Sequence, residues 1–92
     1  MNFNILISES ANRFLYSLET RMRVRLKEGM RNLKEDPFRG RPGADIKKLA
    51  SSRDPPFYRL RVGDFRVVYA IEGKDVKITT IIHRSKGYKW LE

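Results

Sequence analysis

The sequence predicts an α+β domain in which an N-terminal strand and two amphipathic helices precede a twisted antiparallel sheet, in the order β-α-α-β-β-β. Three observations carry this. Apolar residues recur at helical spacing between Ser8 and Glu35, the period changes to two from Phe57 onward, and all four prolines fall between these regions. Helices on one side of the sequence and a meander on the other imply that both helices pack on one sheet face and leave the other open.

Asn2–Ile7 is short and rich in apolar residues, and reads as a strand. Ser8 or Ser10 can cap a helix whose Ala11, Phe14, Leu15 and Leu18 follow the i, i+3, i+4, i+7 spacing. Thr20 is the expected cap of a second helix, with Met22, Leu26, Met30 and Leu33 on one stripe and Arg21, Arg25, Glu28 and Arg31 largely off it. Asp36-Pro37 ends that helix, because proline cannot continue the hydrogen-bond ladder. Residues 36–56 form an irregular connection with one extended stretch around Ile46–Leu49. Phe57–Val62, Phe65–Ile71 and Val76–His83 read as strands joined at Gly63-Asp64 and Gly73-Lys74, where glycine in first position suits a type II′ turn.

The chain has 92 residues, room for one domain spanning 1–92 and one core. A chain of this size buries only about 60–65% of its unfolded surface, so a site belongs on a shallow face or groove. Absence of cysteine excludes disulfides and thiolate metal sites, and makes a cytoplasmic setting the expectation. No signal peptide or membrane span is expected. The net charge of +9 favours polyanionic partners. Of these, nucleic acid ranks ahead of a membrane surface, because the helices face a core.

With a two-residue turn at Gly63-Asp64, Val62/Phe65, Leu60/Val67 and Tyr58/Tyr69 pair on one face, and Arg61/Arg66 and Arg59/Val68 on the other. The first is the core face. On the second, two arginines are opposed and a third lies one step away, a destabilising arrangement unless an anion sits between them. Strict alternation through Gly73-Lys74 puts Ile78 and Ile82 on the core face, and Lys77, Thr79, Ile81 and His83 with the arginines. Arg84, Lys86, Tyr88, Lys89 and Trp90 follow the strand and can hang over the same edge, provided that the strand has ended or bulged before Arg84.

Guanidinium groups grip phosphate oxygens bidentately, and tyrosine or tryptophan beside them can stack unpaired bases. One arginine alone is an ordinary surface charge. The opposed pair, its neighbour and a histidine together point to a binding surface. Tyr58, Phe65 and Tyr69 are expected in the core. A single histidine without cysteine or clustered carboxylates makes no metal site, and no metal or cofactor is expected. Paired carboxylates, a nucleophile elbow, a phosphate-binding glycine loop and a serine or cysteine triad are missing.

The run from Phe57 to Tyr69, FYRLRVGDFRVVY, the later Ile82-His83-Arg84 and the nearby Tyr88 resemble the signature of RelE-type toxins of the RelE/ParE superfamily. The order of elements extends the resemblance over essentially the whole chain. It implies a toxin of a type II toxin-antitoxin system, a metal-independent endoribonuclease (mRNA interferase) that cuts messenger RNA in the ribosomal A site and so inhibits translation. Its implied partners are a cognate antitoxin, that mRNA and ribosomal RNA. Matched residue by residue, Arg61, Arg66, His83, Arg84 and Tyr88 are the expected catalytic group. Arg59, Lys86, Lys89 and Trp90 are the expected RNA contacts. The chemistry would be attack of the RNA's own 2′-OH on the adjacent phosphate, giving a 2′,3′-cyclic phosphate.

Two departures from the family pattern stand out. Ser85-Lys86-Gly87 replaces the usual Lys-Asp-Val before Tyr88, and arginine stands at positions 59 and 61 where RelE has lysine. A guanidinium does not deprotonate, which argues against proton abstraction by Arg59 or Arg61. The alternatives are a gyrase inhibitor of the ParE branch, which lacks nuclease activity, and a non-catalytic RNA-binding module.

Overall fold

A computed structural model of the chain describes residues 2–49 and 55–86. Strand β1 (Asn4–Ile7) leads into helices α1 (Glu9–Ser17) and α2 (Thr20–Arg31), and α2 closes in a 3₁₀ turn, Asn32–Lys34. Strand β2 (Asp45–Lys48) and the meander β3 (Phe57–Val62), β4 (Phe65–Glu72) and β5 (Asp75–His83) follow, and a second 3₁₀ turn spans Arg84–Lys86. The α+β class and the packing of both helices on one sheet face are as the sequence predicts. No helix among the described residues is long and apolar enough to cross a membrane.

Ser8 takes the cap of α1 in extended conformation, and its hydroxyl accepts the Ala11 N–H at 3.1 Å while donating to the Thr79 carbonyl at 2.9 Å. One side chain thus starts the helix and ties it to β5. The cap predicted for α2 is displaced by one residue. Glu19 occupies the cap without a side-chain hydrogen bond, and the Thr20 hydroxyl accepts from Arg23 Nη2 at 3.3 Å. The regular helix also ends at Arg31, before Asp36-Pro37 is reached, with the 3₁₀ turn filling the interval.

The sheet runs β1-β5-β4-β3-β2, antiparallel except for β1, which lies parallel to β5. The extended stretch expected near Ile46 is the edge strand β2, paired with β3 through Asp45↔Arg61, Ile46↔Leu60 and Lys47↔Arg59. Gly63 and Gly73 open the two hairpin turns at φ of 58° and 61°, and among the described residues only glycines have positive φ. That distribution fits type II′, whose first central position only glycine adopts without strain, and not type I′, which needs two such residues.

Leu15, Leu26 and Leu33 from the helical segment meet Leu60, Val67, Tyr69, Val76 and Ile78 from the sheet in one core, all essentially inaccessible. Burial of each leucine contributes about 1.5–3 kcal/mol. Tyr58, Phe65 and Tyr69 belong to it as expected. The opposite face is not bare. Leu49 and Val68 are buried there against Phe57 and Ile82, a small apolar patch beside the arginines.

Candidate nucleic-acid interface

The β3–β4 register is the one read from the sequence, with Arg61 opposite Arg66, Arg59 opposite Val68, and Val62 opposite Phe65. The β4–β5 register departs from strict alternation. Phe65↔His83, Arg66↔Ile82, Val67↔Ile81 and Val68↔Thr80 pair in order, and then Tyr69 pairs with Ile78, so Thr79 is an extra residue in a β-bulge. Every residue after Thr79 therefore lies on the face opposite to the one strict alternation assigns. Ile81, predicted beside the arginines, is buried in the core, and Ile82, predicted in the core, joins the apolar patch on the arginine face.

The same bulge decides two candidate site residues in opposite senses. His83, predicted on the arginine face, instead pairs with Phe65 on the helix side, with the rings edge-on at 5.1 Å between centroids. Its Nδ1 accepts the Ser85 backbone N–H at 3.1 Å and lies 2.7 Å from the Ser85 hydroxyl, so the neutral ring carries its proton on Nε2. Arg84, which needed an irregularity to reach the arginines, reaches them. Its backbone N–H donates to the Asp64 carbonyl at 2.8 Å, and its guanidinium lies 3.5 Å from the Asp64 carboxylate. That ion pair is two-thirds exposed and contributes little energy, but it orients the side chain beside the hairpin turn.

Arg61, Arg66 and Arg84 line one shallow pocket of about 260 Å³, together with Gly63 and Phe65. Arg61 is exposed and Arg66 half-buried. The pocket thus presents three permanent cations at one end of the β3–β4 hairpin, with room for a phosphodiester group. Phe65 and Gly63 are lining residues that the sequence reading left out, one taken only as core and the other only as turn.

The remaining candidates are dispersed. Arg59 is buried, and its Nη1 donates to the Asp45 carbonyl at 2.9 Å and to the Asp45 carboxylate at 3.0 Å. It braces β3 to β2 and does not line the pocket. Lys77 is on the arginine face but pairs with Glu72. Lys86 is exposed in the closing 3₁₀ turn. Tyr88, Lys89 and Trp90 lie outside the described residues. Among the described residues no three His, Asp or Glu side chains gather closely enough to hold a metal ion.

Residues 5–88 match the family model described as the ParE toxin of the type II toxin-antitoxin system parDE. No curated protein sequence matches the chain. Among solved structures, a chain of the archaeal RelE-RelB complex from Pyrococcus horikoshii is similar at 29% identity and a TM-score of 0.79, over 95% of this chain and all of that one. A chain of the RelB-RelE antitoxin-toxin complex from Methanococcus jannaschii follows at 21% identity and a TM-score of 0.72, over 95% of this chain and 99% of that one. One from the RelBE2 toxin-antitoxin complex of Mycobacterium tuberculosis has 22% identity and a TM-score of 0.70, covering 91% of this chain and all of its own. The last two likenesses bear on the fold alone.

Proposed function

Since the chain belongs to the ParE toxin family of type II toxin-antitoxin systems, we propose that it acts in the RelE manner, as an endoribonuclease that cuts messenger RNA on the ribosome. The observation that carries this reading is the convergence of Arg61, Arg66 and Arg84 on one pocket. Two opposed arginines repel one another across a strand pair, and a phosphate between them turns that repulsion into binding.

In the proposed reaction the 2′-OH of the RNA attacks the neighbouring phosphorus. The P–O5′ bond breaks, leaving a 2′,3′-cyclic phosphate on one fragment and a 5′-hydroxyl on the other. The three guanidinium groups hold the equatorial oxygens and take up the charge that grows on the phosphorane, the step at which fixed donors contribute most. A proton must leave the 2′-OH and another must reach O5′. None of the three arginines can accept a proton. His83 is one residue from Arg84 but not part of the pocket lining, so it serves best through Arg84 and Phe65, and proton transfer falls to Tyr88 or to groups of the ribosome. Such a site depends on the ribosome to hold the RNA in attacking geometry.

The second reading is inhibition of gyrase without any cleavage, and it is favoured by the description of the matching family model. In either case the partner that silences the protein is a cognate antitoxin, as in the RelE-RelB complexes to which the fold is similar. A translation reaction with primer extension of the message tests the choice. Cuts positioned by codon support the proposal, and arrest of DNA supercoiling with intact message transfers the protein to the second reading. Neither effect leaves a non-catalytic binding module.

A further inference from the structure

A second groove, of about 400 Å³, lies between α2 and the β2–β3 edge, and Arg61 and Gly63 line both it and the arginine pocket. The two depressions therefore meet at the Gly63 turn. Arg25, on the solvent side of α2, reaches across to this junction. Its Nη1 lies 3.3 Å from the point where a side chain on Gly63 would begin. The glycine that the turn's positive φ requires thus also leaves the surface open where the Arg25 guanidinium lies.

We propose that single-stranded RNA runs from the arginine pocket over the Gly63 turn into this groove, where Arg25 binds the phosphate of a neighbouring nucleotide. The proposal rests on the RNA-cleaving reading above and extends it to a site that flanks the scissile position.

The charges in the groove support an anionic ligand. The guanidinium groups of Arg25 and Arg61 make no hydrogen bond or ion pair among the described residues. Arg41 is fixed by the carbonyls of Asn32, Asp36 and Arg39 at 2.8–2.9 Å, which hold the guanidinium without cancelling its charge. Of the two acids that line the groove among the described residues, Asp45 is engaged by Arg59, which leaves Glu28 to oppose the arginines. Among the described residues the apolar side chains in the lining are Val62 and Ala44, and Ala44 is buried. A protein segment would find no apolar slot for an anchoring side chain there, whereas a phosphate needs only the cations.

The test is binding of fully 2′-O-methylated RNA, which has no free 2′-OH and cannot be cut, measured by fluorescence anisotropy for a trinucleotide and an octanucleotide over a range of salt. Arg25→Gln is expected to weaken the octanucleotide about fivefold and to reduce the slope of log affinity against log salt by about 0.7, with the trinucleotide unaffected. Arg21→Gln removes the same charge from the same helix away from the groove, and is expected to bind both oligomers like the parent. An octanucleotide held equally by parent and Arg25→Gln overturns this inference alone, provided that Arg66→Gln still weakens the trinucleotide. Equal weakening by Arg21→Gln and Arg25→Gln also overturns it, because net charge then explains the loss. A parent that binds neither oligomer overturns this inference, and the RNA-cleaving reading then stands or falls by primer extension in the translation reaction. A polyglutamate peptide whose affinity falls in Arg25→Gln, while that of the octanucleotide does not, reassigns the groove to an acidic protein partner.

Discussion

At the scale of single residues, stability and function pull in different directions at the Arg61–Arg66 pair. Like charges directly opposed across two strands cost a few tenths to about 1 kcal/mol. Of the carboxylates beside them, Asp64 at the turn pairs with Arg84, and Asp45, opposite Arg61 on β2, is engaged by Arg59. Arg61→Thr keeps β propensity and removes one charge, so the denaturant midpoint is expected to stay level or rise slightly. Cleavage of the message is expected to fall at least about tenfold, since a donor to a developing oxyanion is commonly worth about 2.7–4 kcal/mol. A variant that unfolds more easily and cuts normally would make Arg61 a structural residue. Tyr69 is the opposite case, a polar group committed to the fold. Its hydroxyl donates to the Pro37 carbonyl at 2.7 Å within the core, and its ring stacks on Tyr58 at 5.7 Å. Burial, and then the neighbouring Tyr58, push the phenol far above the ordinary tyrosine range. Tyr69→Phe leaves that carbonyl buried without its donor and is expected to cost about 1–3 kcal/mol at neutral pH. Above about pH 10 the unfolded phenol ionises while the folded one keeps its proton, so the parent loses stability as pH rises and the variant lacks this loss. The gap between their denaturant midpoints should therefore narrow at alkaline pH. A gap that is constant or widens counts against the buried neutral phenol.

At the scale of elements, the bulge in β5 does the most to shape the site. The Thr79 hydroxyl donates to the Val68 carbonyl at 3.3 Å, and its own carbonyl receives the Ser8 hydroxyl at 2.9 Å, so the bulge is anchored both to β4 and to the start of α1. Deleting Thr79 would let Ile78 and Thr80 pair consecutively with Tyr69 and Val68. Every side chain beyond would then keep its present face, and the pocket of Arg61, Arg66 and Arg84 is expected to survive. The lost Ser8 hydrogen bond should lower stability by about 0.5–1.5 kcal/mol. Unfolding curves and cleavage rates for the deletion check this. A shortened chain that folds but no longer cuts would show that the bulge sets the aim of Arg84 as well as its face.

At the scale of the whole molecule, a net charge of +9 on so small a surface is a long-range field as well as a set of contacts. An antitoxin that silences the protein must meet that field, and charge complementarity acts chiefly on the rate of encounter. Its association rate is expected to fall steeply between low and physiological salt, where screening shortens the reach of the field to about 8–10 Å. Stopped-flow association at several ionic strengths measures this. A rate indifferent to salt would assign recognition to apolar contacts.

The α+β class, the helical stripes, the two glycine turns and the opposition of Arg61 to Arg66 were all legible in the order of residues. Each of these is local, read from a period, a turn residue or a two-residue loop that sets the register of its own hairpin. The placement of His83 and Arg84 was decided only by the tertiary structure. In the run Ile78-Thr79-Thr80-Ile81-Ile82, threonine stands next to threonine and isoleucine next to isoleucine, so hydrophobicity does not say which of each pair turns inward. The choice falls to the packing of the whole sheet, where Val76, Ile78 and Ile81 all enter the core and the spacing of three from Ile78 to Ile81 is absorbed by the bulge. The engagement of Arg59 by Asp45 and the meeting of Arg25 with Gly63 were likewise invisible in the chain. Residues 14 and 38 positions apart come together only once the sheet and helices have folded, and no local pattern records it.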